Sequence, residues 1–435
     1  MPASWIIPIA LLIAAAAFIF ARRLEGLLAV YLIAVPVLPQ IPVGTIQLSI
    51  LDILAVPAVL YLIYCLLSGG FRIQGGFAIG LSLYTLAAVI SWLGYVIQNG
   101  HFNAALFLRL IRLMEMLLPV LLTACIAKKN LKIKTSGAFL IGGGLAAATG
   151  LFMYFNGIVI RDMQSLQIAR ELVFRAGGTH GDSGSFGNLM AINNVLAVWV
   201  LLYFNQESRS AVTTKMKTIA AVSGLLSLGG LVVSLSRAGL FATAIGAGIL
   251  LLPFLRYPGR IIKATVWVFL IIAVFLIILV PLFESDLLHG TIEAFGERIL
   301  GVSDLASEFD RVSSGRTANW QDSWNIFKRT PAAWLFGLGY KSLIIDHNIP
   351  PDNNYLQAFF EMGVPGALAV LAMVIFGLQT SFAARRWDQR YGMVVLALWV
   401  GYVFSMASGD YLTCWHNVPG FFVLLTILSR RTDDG

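Results

Sequence analysis

Apolar runs of about the length that crosses a bilayer follow one another along almost the whole chain. A helix needs ~20 apolar residues to span the hydrocarbon core, where all its backbone polar groups must pair within the segment. Of the 435 residues, 58% are hydrophobic and only 12% are charged, whereas a soluble domain carries roughly 25% charged residues. The sequence therefore predicts an all-α, polytopic transmembrane helical bundle and excludes a soluble enzyme.

Because the second apolar run is short, the count of spans is 12 to 14, and we prefer 13. The predicted spans are 4–21, 24–38, 47–68, 76–98, 104–126, 136–157, 185–205, 217–234, 238–254, 261–283, 354–380, 391–408 and 411–429. The first run ends at Arg22-Arg23 without a signal-peptide cleavage site. The three cysteines are far apart, which predicts neither a disulfide framework nor a metal site.

Basic residues divide the connections between spans into two sets. Alternate connections carry 18 of the 30 Lys and Arg residues, while the short connections of the other set carry none apart from Arg237. Cytoplasmic loops are the basic ones, so the N-terminus and the long loops 158–184 and 284–353 are predicted to face outward. The net charge of +8 then reflects topology and does not predict nucleic-acid binding.

The chain divides into three predicted regions. Residues 1–283 hold transmembrane helices 1–10 with an outward loop at 158–184, 284–353 form a large extracytoplasmic loop subdomain, and 354–435 hold the C-terminal transmembrane helices. The large loop is predicted to be helical, because Trp320, Trp324 and Phe327 recur at helical spacing.

Two outward arginines are candidates for binding an anion. Arg237 lies in a tight turn between apolar helices, where it either snorkels to lipid phosphate or holds a phosphate bidentately. Arg316 lies at the predicted start of the helix that contains Trp320, where backbone N–H groups also favour anions. It either meets an anion or pairs with a carboxylate such as Asp310.

Further polar candidates lie at loop ends and inside one span. Asp352 and Asn353 precede the re-entry at 354, where they either cap the helix, the interpretation that residue type favours, or supply a general base. Arg175 and His180 lie in a glycine-rich loop that either admits a ligand or is simply flexible. Arg112, with Arg109 and Glu115 at i−3 and i+3, either lines a polar cavity or pairs with Glu115.

Four stretches, taken in order and spacing, resemble the O-antigen ligase and O-antigen polymerase superfamily of bacterial membrane enzymes. They are Ser236-Arg237-Ala238-Gly239; Gly315-Arg316 with Trp320, Pro331 and Gly337-Leu338-Gly339; Arg175 through Asn188; and Asp352-Asn353 with Leu356, Glu361, Gly363 and Gly366. The resemblance implies a fold like that of the C-type glycosyltransferases and a metal-independent glycosyltransferase without a cofactor. The implied donor is a glycan on undecaprenyl diphosphate, at the outer face of the bacterial inner membrane.

The resemblance also implies roles for individual residues. Arg237 and Arg316, with Arg175 as a third, would stabilise the leaving diphosphate, and Asp352 would accept the proton of the acceptor hydroxyl. The predicted catalytic residues are thus Asp352, Arg237 and Arg316, and the predicted substrate-binding residues are Arg175, Asn353, His180 and Arg112. Implied partners are the lipid-linked glycan, the bilayer, a chain-length regulator and a flippase.

One departure from the family pattern narrows the prediction. Asp352 stands where ligases of this family place histidine, and His347 lies five residues too early to replace it. Members with Asp-Asn at this position resemble polymerases, which favours polymerisation of surface polysaccharide repeat units. The alternatives are a ligase or oligosaccharyltransferase on the same fold, and a transporter that uses the charges around Arg112.

Overall fold

The computed structural model describes residues 24–39, 41–43, 46–69, 75–124, 131–158, 165–168, 171–204, 211–256, 316–350 and 352–431. Fourteen α-helices lie in these ranges: α1 Leu24–Val37, α2 Ile50–Leu67, α3 Gly76–Asn99, α4 Ala104–Thr123, α5 Leu131–Phe155, α6 Ser183–Tyr203, α7 Ala211–Ser234, α8 Arg237–Leu251, α9 Arg316–Phe327, α10 Ala333–Phe336, α11 Ser342–Asp346, α12 Asn354–Trp387, α13 Gln389–Met406 and α14 Val418–Leu428. Two antiparallel hairpins, β1 Ile41–Val43 with β2 Ile46–Leu48 and β3 Ser165–Ile168 with β4 Glu171–Phe174, are small additions.

The prediction of an all-α polytopic membrane protein is confirmed. Within the described ranges, seven helices are long and apolar enough to cross a membrane: α2, α3, α5, α6, α7, α8 with its 3-10 extension, and α12. Helices α1 and α14 are apolar but shorter. Eleven of the 13 predicted spans coincide with helices, and the other two, 4–21 and 261–283, lie outside the described residues.

Polar side chains cap the N-terminal ends of α6, α8 and α12. Asp182 accepts hydrogen bonds from the backbone N–H groups of Gly184 and Ser185 and starts α6. Ser236 starts α8, and Asn353 starts α12. Each side-chain oxygen satisfies N–H groups that have no partner within the helix. These three caps lie beside the candidate site described below.

Small residues bring the bundle helices close together. A Cβ atom at Gly80 of α3 would lie 2.8 Å from the Cα atom of Met373 in α12, and one at Gly144 of α5 would lie 2.8 Å from the hydroxyl of Ser223 in α7. Close approach of this kind is how helices associate in a membrane, because no hydrophobic force drives them together there. The bundle is therefore held by backbone proximity as well as by its apolar core.

A break in α12 joins residues 316–350, which we call the loop subdomain, to the bundle. Gly363 has a φ of 66° inside α12, and a Cβ there would lie 2.8 Å from the carbonyl oxygen of Ala333. Upstream of the break, the carbonyl oxygen of Phe360 accepts the N–H of Leu338 at 2.9 Å, and that of Glu361 accepts the N–H of Gly339 at 3.1 Å. The glycines thus let α10 and the segment after it pair directly with α12.

The described part of the large loop is helical, as the spacing of its aromatic residues predicts. Residues 316–350 form α9, α10 and α11 around a small aromatic core. Phe327 is fully buried, with its ring 4.8 Å from that of Phe359 and 5.2 Å from that of Trp334. Residues 284–315 of the predicted loop subdomain lie outside the described residues.

Candidate functional site

The turn between α7 and α8 fixes the position of Arg237. Leu235 adopts a φ of 50°, which is unusual for a bulky residue, and the Ser236 hydroxyl accepts the N–H of Gly239 at 3.2 Å. Arg237 is the first residue of α8, and its side chain is half-buried. Gly187 of α6 packs against this turn, since a Cβ there would lie 2.8 Å from the Ser236 hydroxyl. The turn therefore fixes the backbone from which the Arg237 side chain extends.

Arg175, which lies between β4 and α6, is bound to the same turn. Its Nε atom donates to the carbonyl oxygen of Ser234 at 3.1 Å, and the next N–H, of Ala176, donates to that of Val233 at 2.9 Å. Burial lowers the pKa of the Arg175 guanidinium, an effect that the carboxylate of Asp182 opposes. The turn thus brings two arginines from separate segments together.

Arg316, the first residue of α9, completes a group of three arginines. Its charge interacts with those of Arg175 and Arg237 and with the carboxylate of Asp352. The positive charges of Arg316 and Arg237 each lower the pKa of a neighbouring arginine of the group, which is repulsion that a polyanion would relieve. We call Arg175, Arg237, Arg316 and Asp352 the arginine site. The structure brings together all three predicted catalytic residues and one predicted substrate-binding residue there.

Asp352 is held in a strained position at the edge of the site. Its φ of 45° lies in the left-handed region, which aspartate tolerates better than most residues. The Asn319 amide nitrogen of α9 lies 3.5 Å from its carboxylate. Burial raises the pKa of Asp352, while Arg316 and Asn319 oppose that rise. A carboxylate of raised basicity beside a cationic pocket can accept a proton.

Asn353 is the helix cap that the residue types predicted. Its side-chain oxygen accepts the N–H groups of Tyr355 at 2.9 Å and Leu356 at 3.1 Å, and its amide nitrogen donates to the carbonyl oxygen of Ala407 at 3.0 Å. The cap therefore fixes the backbone next to Asp352, whose own carboxylate is not the cap.

The connection between α13 and α14 adds a residue that sequence analysis missed. The backbone N–H of Tyr411 is held by the Asn354 oxygen at 2.8 Å, and its carbonyl accepts the hydroxyl of Tyr402 at 2.8 Å. Its phenol interacts with Asp182 and Arg316, and burial raises the pKa of Tyr411 to about 12. The phenol stays protonated and so adds a donor beside the arginine site. No motif in this short connection indicates that role.

A partly buried ion pair joins the loop subdomain to the same connection. The Lys341 ammonium binds the carboxylate of Asp410 and donates to the Thr413 hydroxyl at 2.8 Å. The other oxygen of Asp410 accepts the amide of Asn354 at 3.0 Å. These contacts hold the segment after α10 against the residues that precede α14.

His180 lies in the packed interior beneath the arginine site. Its Nε2 atom is 3.2 Å from the carbonyl oxygen of Pro36, and its ring is stacked 4.1 Å from that of His416 with 12° between the planes. The ligating atoms of His180, His416 and Cys414 lie within 4.8 Å of one another. Parallel rings, however, direct their in-plane lone pairs side by side instead of toward one ion. Burial lowers the pKa of His180 to about 4 and raises that of Cys414 to about 12, which favours neutral packing.

Arg112 is engaged within the bundle. Its guanidinium lies 2.9 Å from a carboxylate oxygen of Asp52 and 3.5 Å from one of Glu115, and it also binds the hydroxyl of Ser49. These contacts join α4 to the N-terminal end of α2. Of the two interpretations of Arg112, pairing is the one that the geometry favours.

Comparison with protein families gives a match that covers part of the chain. Residues 222–371 match the family model described as O-antigen ligase, and this stretch contains Arg237, Arg316, Asp352 and the Gly363 break. None of the curated proteins matches the chain. The match confirms the predicted resemblance: over residues 222–371, this membrane protein is similar to the O-antigen ligase family, within the O-antigen ligase and polymerase superfamily.

Proposed function

We propose that this protein is a metal-independent membrane glycosyltransferase that polymerises undecaprenyl-diphosphate-linked repeat units into O-antigen, capsule or exopolysaccharide. It would act at the outer face of the bacterial inner membrane. The observation that carries the proposal is the convergence of Arg175, Arg237 and Arg316, from three separate segments, beside Asp352. The match to the O-antigen ligase family supports an enzyme that acts on polyprenyl-linked glycans.

The arrangement suits displacement of a diphosphate by a hydroxyl group. The oxygen of the acceptor hydroxyl forms a bond to the anomeric carbon of the donor, and the bond from that carbon to the diphosphate oxygen breaks. Undecaprenyl diphosphate leaves with the electron pair, and the hydroxyl proton passes to Asp352. Arginines that face the developing negative charge lower the barrier, by roughly 3–4 kcal/mol for one well-placed contact.

The acceptor is what distinguishes a polymerase from a ligase. Both use the same donor, so the three arginines support either activity. Asp352 supports polymerisation, because it stands where ligases of the family place histidine. Its carboxylate interacts with Arg316 and lies 3.5 Å from the Asn319 amide nitrogen. His347, which lies five residues too early to take the place of that histidine, is exposed at the end of α11.

The remaining predicted substrate-binding residues act within the protein in this proposal. Asn353 fixes the backbone beside Asp352, His180 packs under the first outward loop, and Arg112 joins α2 to α4. The paired state of Arg112 gives no support to a transporter. A flippase that supplies the donor and a chain-length regulator are the partners that such a polymerase would require.

Size analysis of lipid-linked glycans tests the proposal. A strain deleted for the gene is complemented with wild type, with Arg237→Ala, or with Arg329→Ala, which removes an exposed arginine between α9 and α10. We expect single repeat units on the lipid carrier in the deletion and Arg237→Ala strains, and a ladder in the other two. Accumulation of long, unattached lipid-linked chains in the deletion strain would instead identify a ligase.

A further inference from the structure

A basic cavity lies at the opposite end of the bundle from the arginine site. Helix α12, which is 34 residues long, begins beside Asp352 and reaches this cavity at its C-terminal end. The cavity has a volume of about 340 Å³ and lies among the start of α5, the corner between α12 and α13, and the end of α14. The charged and aromatic residues that line it are Lys132, Arg386, Trp387, Asp388, Arg430 and Arg431.

The charge of the lining is strongly positive. Four cations face one carboxylate, and that carboxylate, of Asp388, also caps α13 by accepting the N–H groups of Arg390 at 2.9 Å and Tyr391 at 3.4 Å. Lys132 is buried, with its ammonium 4.3 Å from the centre of the Tyr391 ring. Cations gathered around one cavity repel each other, and an anion inside it relieves that repulsion.

The place of the cavity indicates the kind of anion. It lies where α12 and α14 end and α5 and α13 begin, and its lining residue Trp387 is 55% exposed. Tryptophan is enriched at the level of lipid headgroups, and basic pockets between membrane helices bind anionic headgroups. A volume of 340 Å³ is about ten times the ~30 Å³ share of one water molecule, so a substituted phosphate has room.

We propose that this cavity binds a phosphate group, carried by an anionic phospholipid or by a free phosphate anion. The basic character of connections on one side of a membrane protein accounts for the number of cations. It does not account for their convergence from α5, α12 and α14 on a single cavity. Three of the four are arginines, whose planar fork matches phosphate geometry.

Lipid binding by the purified full-length protein tests the proposal. Wild type, Arg386→Ala/Arg431→Ala and Arg385→Ala are titrated in mild detergent with phosphatidylglycerol, with phosphatidylcholine, and with inorganic phosphate. Bound lipid is counted by native mass spectrometry, and the unfolding temperature is recorded. Arg385 is the matched control, because it is exposed in the same last turn of α12 and does not line the cavity.

We expect phosphatidylglycerol to bind wild type and Arg385→Ala alike, and the double variant at least 10-fold more weakly. Stabilisation by inorganic phosphate alone, lost in the double variant, would assign the site to the free anion. Either of two results would overturn the proposal. One is an equal loss of phosphatidylglycerol binding in the double variant and in Arg385→Ala. The other is that wild type binds phosphatidylglycerol no better than phosphatidylcholine and also does not respond to phosphate. Should the double variant fail to fold, Arg431→Ala alone, at an exposed residue beyond α14, serves the same comparison.

Discussion

The Nε atom of Arg175 donates to the carbonyl oxygen of Ser234 at 3.1 Å, three residues before Arg237 in the chain. This hydrogen bond fixes the segment between β4 and α6 against the turn that carries Arg237. A loop arginine and a turn arginine thereby become a single cationic surface.

Loss of Arg316 should reduce polymerisation without unfolding the protein. Arg316→Ala removes the charge that interacts with Arg175, Arg237 and Asp352. We expect the rate to be about 10²–10³-fold lower, which is the typical effect of removing one contact to the negative charge that develops in the transition state. Turnover of lipid-linked repeat units by purified protein measures this, with Arg329→Ala as the control on an exposed residue of the same subdomain. Full activity in Arg316→Ala would remove Arg316 from the site.

Asp352→Asn should separate activity from stability. Because burial raises the pKa of Asp352, its ionised form opposes folding above that pKa, and the neutral amide does not. We expect polymerisation to fall ~10²–10⁴-fold, as for loss of a general base, while the unfolding temperature at neutral pH stays the same or rises. An active Asp352→Asn protein would show that Asp352 is not the base.

The pH dependence of the polymerisation rate should reflect the ionisation of Asp352. Since the pKa of Asp352 is raised, the rate should begin to fall, as the pH is lowered, at a pH above the ~3.9 that is the typical pKa of aspartate. The Asn319 amide opposes the rise, so Asn319→Ala should move the acid limb to still higher pH. Rate profiles of both proteins measure the shift, and a limb that moves to lower pH or stays in place contradicts the assignment.

Gly187→Ala should disturb the turn that positions Arg237. An added Cβ would lie 2.8 Å from the hydroxyls of both Ser234 and Ser236, so the turn must shift. We expect destabilisation of about 1–3 kcal/mol, typical of overpacking, together with reduced activity. Gly248→Ala in α8 is the control, because nothing lies within 4 Å of a Cβ there. Equal unfolding temperatures and activities of the two variants would show that Gly187 is not a packing constraint.

Lys341 should be needed for the loop subdomain to stay attached. Its pair with Asp410 is 8% exposed on the lysine side and 25% on the aspartate side, and removing one partner of such a pair costs about 3–5 kcal/mol. We expect Lys341→Met to unfold at lower temperature and to be cut faster by protease within 316–350. Lys328→Met, at an exposed lysine after α9, should match wild type. Comparable behaviour of the two variants would argue against the anchoring role.

Sequence patterns predicted the helices well and the site only partly. Apolar length predicted the positions of eleven described helices, and residue type identified Asn353 as a cap, because both signals are local. The bond between Arg175 and the turn before Arg237 joins residues 59 positions apart, which no local pattern encodes. Only the family resemblance indicated that these arginines act together.

Other features depend on packing that the sequence does not display. The stretch around Gly363 reads as one continuous apolar span, yet α12 breaks there because the carbonyls of Phe360 and Glu361 pair with the loop subdomain. His180 reads as a polar loop residue, but its ring is buried against His416, 236 positions later. Tyr411 gave no signal, because its role depends on what surrounds the connection that carries it.

In vitro polymerisation with a single substrate tests the central claim most directly. Purified protein is given only undecaprenyl-diphosphate-linked repeat units, and products are resolved by size while released undecaprenyl diphosphate is measured. The account predicts a ladder from wild type, with one carrier released for each unit joined, and no ladder from Arg237→Ala. Transfer that occurs only after lipid A-core or a protein acceptor is added, or an undiminished ladder from Arg237→Ala, would contradict it.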